Sequence, residues 1–128
     1  MSMPHGKLSD GSYYKGQMLN GRADGQGIRI FQDGRRYEGN FKNGALEGQG
    51  IYVSRDGGRY EGEFHNGKPD GRAKVTASTG GIYEGEIHNG KRNGRGKYTS
   101  PSGETKDGYW KDNEYLGENK PDSSDSSK

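Results

Sequence analysis

Cysteine is absent from the 128 residues, tryptophan occurs once, proline four times, and apolar side chains make up only 24% of the chain. The first absence excludes disulfides and thiolate metal sites, and it agrees with a reducing compartment. So few apolar residues, with a mean hydropathy of −1.34, cannot enclose a large two-layer core. No apolar run reaches the length of a membrane span, and the opening "MSMPHGKLSDGSYYKG" has no stretch of the signal-peptide kind. A soluble, cytoplasmic protein is the expectation. A strong excess of one charge is also missing. The net charge is +2, which is too weak to point to nucleic acid.

What the chain does have is glycine, 25 residues, and tyrosine, nine residues. Disordered chains are poor in aromatics, and here the aromatics are periodic. Tyr14, Tyr37, Tyr60 and Tyr83 stand 23 residues apart, and the next step lands on Lys106. Gly16, Gly39, Gly62, Gly85 and Gly108 follow two positions later, and Met18, Phe41, Phe64, Ile87 and Trp110 two after that. Asn-Gly recurs at Asn20-Gly21, Asn43-Gly44, Asn66-Gly67 and Asn89-Gly90. A second glycine ladder runs through Gly25, Gly48, Gly71, Gly94 and Gly117, and a third through Gly27, Gly50 and Gly96, with Ala73 in the gap. Self-similarity at such a period marks a repeat architecture.

Each unit reads as a β-hairpin. Tyr-x-Gly-x-aromatic alternates with period two, as a half-buried strand does. Asn-Gly supplies positive φ, although the spacing in "NGKPDG" suggests a connection longer than two residues. "GQGIYVS" and "GRGKYTS" are return strands, and "RDGG" or "SPSGE" turns the chain into the next unit. Interior glycine opposes helix at roughly 1 kcal/mol per residue. Glycine inside strands is explained if a ring such as Tyr60 or Phe64 lies across bare backbone. The expectation is an all-β, elongated, single-layer antiparallel sheet of successive hairpins. Its units are 14–36, 37–59, 60–82 and 83–105, with a degenerate cap at 106–118 read as a half-hairpin or a one-strand edge. Residues 1–13 form a lead-in. Residues 119–128 form a disordered tail whose Ser–Asp cluster offers phosphate acceptors.

The segments "YEGEFHNGKPDG" and "YEGEIHNGKRNGRGKYTSPSG" resemble the MORN (membrane occupation and recognition nexus) repeat, whose pattern runs Tyr-Glu-Gly-Glu-Trp-x-Asn-Gly-x-x-x-Gly-x-Gly. The resemblance covers residues 14 to about 118, and it implies a row of hairpins in a curved, sometimes grooved sheet. This sequence departs from the pattern where Trp is replaced by Met18, Phe41, Phe64 and Ile87. The late aromatic survives as Phe31 but becomes Ser54, Ala77 and Ser100. Those changes thin the aromatic stripe in the middle.

Three groups invite a catalytic or ligand-binding reading. Glu61, Glu63, Glu84 and Glu86 alternate with the aromatics, so they are expected to face water and pair across strands with Arg72, Lys74, Arg95 and Lys97, each pair contributing about 0.2–1 kcal/mol. His65 and His88 recur in register roughly 10 Å apart, too far to share a metal, and read as solvated. "GRGK" at 94–97 lacks the phosphate-loop spacing. No catalytic residue, metal or cofactor is expected. The aromatic stripe of Tyr14, Tyr37, Phe41, Tyr52, Tyr60, Phe64, Tyr83, Tyr98 and Trp110 is the candidate partner-binding face, since a single-layer sheet has no second layer to cover it.

The resemblance implies a non-enzymatic interaction scaffold, in which the concave aromatic face takes a partner helix or peptide, or a second copy pairs through that face or an end strand. It also implies a place in cytoskeletal, ciliary or membrane-linked assemblies. The alternative is a peripheral binder of anionic phospholipid through Arg22, Lys68, Lys91 and Arg92, which share a loop rim with Asp24, Glu47 and Asp70; each basic group near an anionic bilayer contributes about 1 kcal/mol.

Overall fold

The computed structural model describes residues 5–120. Eleven strands lie in chain order across one antiparallel sheet. They are β1 (His5–Lys7), β2 (Tyr13–Leu19), β3 (Arg22–Ile30), β4 (Arg36–Lys42), β5 (Ala45–Val53), β6 (Arg59–His65), β7 (Lys68–Thr76), β8 (Ile82–His88), β9 (Lys91–Thr99), β10 (Thr105–Lys111) and β11 (Glu114–Gly117). The sheet is open, and among the described residues nothing is helical. Most of the tail expected to be disordered lies outside the described residues.

Turn chemistry sets the strand lengths. Asn20, Asn43, Asn66 and Asn89 have φ of 52°, 55°, 52° and 54°, and the glycines after them 80°, 91°, 80° and 76°. Two consecutive positive φ values make a type I′ turn, whose twist matches that of the flanking strands. Leu19 pairs with Arg22, Lys42 with Ala45, His65 with Lys68 and His88 with Lys91. The connection is therefore two residues long, not longer as the "NGKPDG" spacing suggested. The surplus residues are absorbed inside the sheet as a β-bulge. Opposite Glu86, between the pairs Gly85–Gly96 and Ile87–Arg92, lie Asn93, Gly94 and Arg95. Gly94 there has φ 109°, and its ladder mates Gly25, Gly48 and Gly71 have 96°, 83° and 116°, so this ladder exists to bend the return strand.

The opposite ends of the hairpins carry a three-residue turn. The Phe31 N–H donates to the Arg35 carbonyl at 2.9 Å, and the Gly34 N–H to the Phe31 carbonyl at 3.0 Å. The same pair of bonds recurs at Ser54–Gly58, Ala77–Gly81 and Ser100–Glu104, and also at Leu8–Ser12. The sheet thus begins within the stretch read as a lead-in, with β1 paired to Tyr13, Tyr14 and Lys15. At the other end, β10 and β11 form a hairpin through Lys111 and Glu114, more than a lone edge strand.

With no second layer, burial comes from rings laid on glycine. A Cβ on Gly27 would meet Tyr14 Cε1 and Cζ at 2.6 Å, one on Gly96 would meet Tyr83 Cε1 at 2.5 Å, and one on Gly50 would meet Phe64 Cδ1 at 3.1 Å. In unit three Ala73 stands opposite Gly62 instead. The phenol of each buried tyrosine then finds a carbonyl at the bulge. Tyr14 donates to Gln17 at 2.6 Å, Tyr60 to Glu63 at 2.6 Å and Tyr83 to Glu86 at 2.8 Å. Successive units are also stitched at the two-residue turns, where the Gly44, Gly67 and Asn113 N–H groups donate to the Ala23, Leu46 and Arg92 carbonyls at 2.8, 2.8 and 3.0 Å.

Candidate functional site

The candidate face divides into residues that the fold consumes and residues that it leaves available. Tyr14, Phe41, Tyr60, Phe64, Tyr83 and Trp110 are buried within the chain itself, and Tyr37, Tyr52 and Tyr98 are half-buried. The buried six pack edge to face. Tyr14–Phe41, Tyr60–Phe64 and Tyr83–Trp110 have ring centroids 5.4, 4.9 and 5.5 Å apart, a geometry that favours the pairs beyond their buried area. Their first role is structural. On the stripe, Tyr37, Tyr52, Tyr98 and the smaller side chains between them keep accessible surface.

One ladder escaped the reading of the sequence. Ala23, Leu46, Pro69, Arg92 and Tyr115 also recur with the period of the repeat, each opposite the fifth-position residue: Met18, Phe41, Phe64, Ile87 and Trp110. Leu46 has no exposure at all and Ala23 5%. The period was available as a signal, but five different residue types occupy it, so no residue letter repeats.

Where the aromatics thin, the face opens. A cavity of about 280 Å³ is lined by Tyr60, Pro69, Val75, Ala77, Gly81, Tyr83, Ile87, Gly90, Arg92, Tyr98 and Asn113. Its cause is visible by comparison with unit one. There Phe31 fills the corresponding place, with the Arg35 and Arg29 guanidinium carbons 4.4 and 5.0 Å from its ring centroid and the Tyr37 ring at 5.2 Å. In unit three the position of Phe31 is Ala77 and that of Arg35 is Gly81, and the space is left as a pocket.

Arg92 is the charged residue of that lining. It was expected on the loop rim with Arg22, Lys68 and Lys91, but the structure turns it inward. Its guanidinium lies 4.7 Å from the Trp110 ring and 5.7 Å from Tyr98, and its Nη2 donates to the Asn113 carbonyl at 3.0 Å. Residue 92 belongs to the ladder paired with the fifth-position residues, so its side chain follows the aromatic face rather than the turn. Arg22, Lys68 and Lys91 remain exposed. The basic residues on the loop rim are therefore Arg22, Lys68 and Lys91, without Arg92.

The acidic residues also differ from expectation. Glu63 and Glu86 do not simply face water. Their carboxylates cap the bulge, accepting the Arg72 N–H at 3.0 Å and the Arg95 N–H at 2.8 Å, backbone donors left over by the lost register. Ion pairs also run along a strand, Arg36–Glu38 at 2.7 Å and Arg59–Glu61 at 3.1 Å. Among the described residues, no Glu61–Lys74 or Glu84–Lys97 ion pair forms, although those residues are register partners. His65 and His88 are not merely solvated either. Their Nδ1 atoms lie 3.0 Å from Glu47 and 3.2 Å from Asp70 on the preceding hairpin. The Glu47 carboxyl is held below its ordinary range by the Asn66 N–H and then by His65.

Burial has a chemical consequence on the aromatic face. The Tyr60 phenol is pushed up from 10.0 to about 12, first because its phenolate would be desolvated and then because Glu63 and Asp70 repel it. Tyr14 and Tyr83 move the same way, also mainly through burial. A raised folded value means that the neutral phenol contributes stability in full below about pH 10, and that this contribution is lost as pH rises through about 12. In an absorbance titration at 295 nm, the difference between the wild type and Tyr60→Phe should therefore rise near pH 12. A difference signal with its midpoint at the ordinary phenol value would show that Tyr60 is not buried as described.

No helix among the described residues is long and apolar enough to cross a membrane. A search of curated proteins returns no match to the chain. Comparison with protein families finds the MORN repeat at residues 14–35, 37–59, 60–82 and 83–105, the four hairpin units whose turns, bulges and ring-on-glycine contacts are described above. The chain belongs to the MORN-repeat family.

Proposed function

We propose that the protein is a non-enzymatic interaction scaffold, and that a protein partner inserts an apolar side chain, carried on a helix or extended peptide, into the pocket between units three and four. MORN repeats are in general protein- and membrane-interaction repeats. The observation that carries the reading is the pocket of about 280 Å³ on a sheet with no covering layer, of a size for one or two anchoring side chains. Arg92 is the charged group in its lining, so the anchor is expected to lie next to a partner carboxylate. A small subunit of a cytoskeletal, ciliary or membrane-linked assembly is the setting that such a module suits.

Ala77→Phe tests this without removing a buried ring, because Ala77 is exposed and Phe31, set against Tyr37, shows how the native fold seats phenylalanine at the equivalent place. Peptide-library selection against the wild type should enrich a large apolar residue close to Asp or Glu. Those peptides should bind Ala77→Phe at least about tenfold more weakly, a loss of about 1.4 kcal/mol, while the melting temperature stays unchanged. Binders indifferent to Ala77→Phe would sink the reading.

A further inference from the structure

Two turns of the sheet share one tetrapeptide but not one environment. His-Asn-Gly-Lys closes the hairpin of unit three at 65–68 and that of unit four at 88–91. Asparagine is thermolabile, and most so before glycine, which has no side chain to keep its nitrogen away from the asparagine side chain. With the same four residues in both turns, a difference in lability has to come from the fold.

The preceding hairpin holds the two turns differently. In unit three both turn amides are held. The Asn66 N–H donates to Glu47 Oε1 at 3.0 Å, and the Gly67 N–H to the Leu46 carbonyl at 2.8 Å. Glu47 is long enough to do this while its other oxygen, Oε2, meets His65 Nδ1 at 3.0 Å. In unit four the equivalent acid is Asp70, one methylene shorter. It meets His88 Nδ1 at 3.2 Å, and among the described residues it makes no bond to the Asn89 N–H. The Gly90 N–H reaches the Pro69 carbonyl only at 3.3 Å, and Gly90 is exposed where Gly67 is half-buried. The turn of unit two shows what the histidine does. There Lys42 stands in its place, and the equally short Asp24 accepts the Asn43 N–H at 3.4 Å.

We infer that Asn89 is a site of spontaneous deamidation in the folded protein, and that the preceding hairpin protects Asn66 from the same reaction. The Gly90 nitrogen gives up its proton to water and attacks the Asn89 Cγ. The new N–Cγ bond closes a succinimide ring as the bond from Cγ to Nδ2 breaks, and Nδ2 leaves as ammonia, taking a proton back from water. A further water molecule then opens the ring at either carbonyl, to aspartate or isoaspartate. No oxidant or reductant is involved. An amide that must first leave a hydrogen bond, in a turn that must first open, reacts more slowly. Gly90 lines the pocket between units three and four, so either product brings a negative charge to that wall. Isoaspartate also lengthens the turn that pairs His88 with Lys91. The inference concerns the turn alone and holds whether or not the pocket takes a partner.

Peptide mapping of the full chain during storage in mildly alkaline buffer tests it, read by the amide-to-acid mass gain. Conversion at Asn89 should run at least about fivefold faster than at Asn66. In urea, where the fold is gone, the two rates should be equal. Asp70→Glu should slow conversion at Asn89, because the longer acid can hold the Asn89 N–H as Glu47 holds that of Asn66. Glu47→Asp should speed conversion at Asn66 for the converse reason. Both exchanges keep the charge, and an unchanged melting temperature will show that the sheet is kept. Equal rates at Asn89 and Asn66 in the folded protein overturn the inference. So does an Asn89 rate that Asp70→Glu leaves unchanged, or a difference between the two sites that persists in urea.

Discussion

Gly85→Ala is expected to be among the most damaging single-methyl additions in the chain, costing at least about 3 kcal/mol. A Cβ there would lie 2.5 Å from the Arg95 carbonyl oxygen and closer still to the Gly96 Cα. Both obstacles are backbone, so no rotamer change relieves them. The two strands must separate where Gly85 and Gly96 face each other. Gly85 is not in the left-handed region, so the cost is steric rather than a matter of φ. Gly96→Ala makes the contrast. Its Cβ would meet the Tyr83 ring, with Cε1 at 2.5 Å, and a side chain can shift. Unit three already carries alanine in this register position, at Ala73, with Tyr60 still 6% exposed and still bonded to the Glu63 carbonyl. Gly96→Ala should therefore cost about 1–3 kcal/mol, and Tyr83→Phe should soften that cost, because the phenol oxygen is the nearest atom. Urea denaturation of the three variants and the double gives the order. If Gly85→Ala proves no worse than Gly96→Ala, close backbone approach is not what the glycine ladders serve.

These ladders also show why parts of the structure were legible and others were not. Tyr14, Gly16 and Asn20-Gly21 repeat as letters, and each letter has one physical job: a ring, a bare backbone, a positive φ. Strand, face and turn followed from them. The bulge did not, because the extra residues around Gly25 look in sequence like a longer turn; only pairing, Leu19 with Arg22 and Met18 with Ala23, shows where they go. Contacts between units were equally hidden. Glu47 and His65 are 18 residues apart, less than one period, and neither Glu47 nor Asp70 looked different from any other exposed acid. The pocket was hidden for a third reason. Ala77 and Ile87 read as a weakening of the stripe, whereas in three dimensions small side chains beside large ones make a concavity.

Trp110→Ala is expected to be the largest side-chain truncation, at about 3–5 kcal/mol, and to act from one end. Trp110 is 4% exposed, its Nε1 donates to the Gly96 carbonyl at 3.0 Å, and its ring sits 5.5 Å from Tyr83 and 5.1 Å from Tyr115. Arg92 stacks on the same ring at 4.7 Å. Without the indole, β10 and β11 keep the β9 ladder and the Tyr115 bond to the Asp107 carbonyl at 3.0 Å, little to order a hairpin at a sheet edge. In a repeat array, stability is carried by each unit and its neighbours. Amide exchange should therefore rise across residues 105–117 and fade towards unit one, where Tyr14 and Phe41 keep their own contacts. Trp110→Phe should cost less, since Phe41 and Phe64 fill the equivalent site and the losses are the bond to Gly96 and part of the ring surface under Arg92. If Trp110→Ala instead raised exchange equally in β2 and β10, the sheet would be one cooperative block, and the units could not be the nearest-neighbour elements that the ring-on-glycine packing requires.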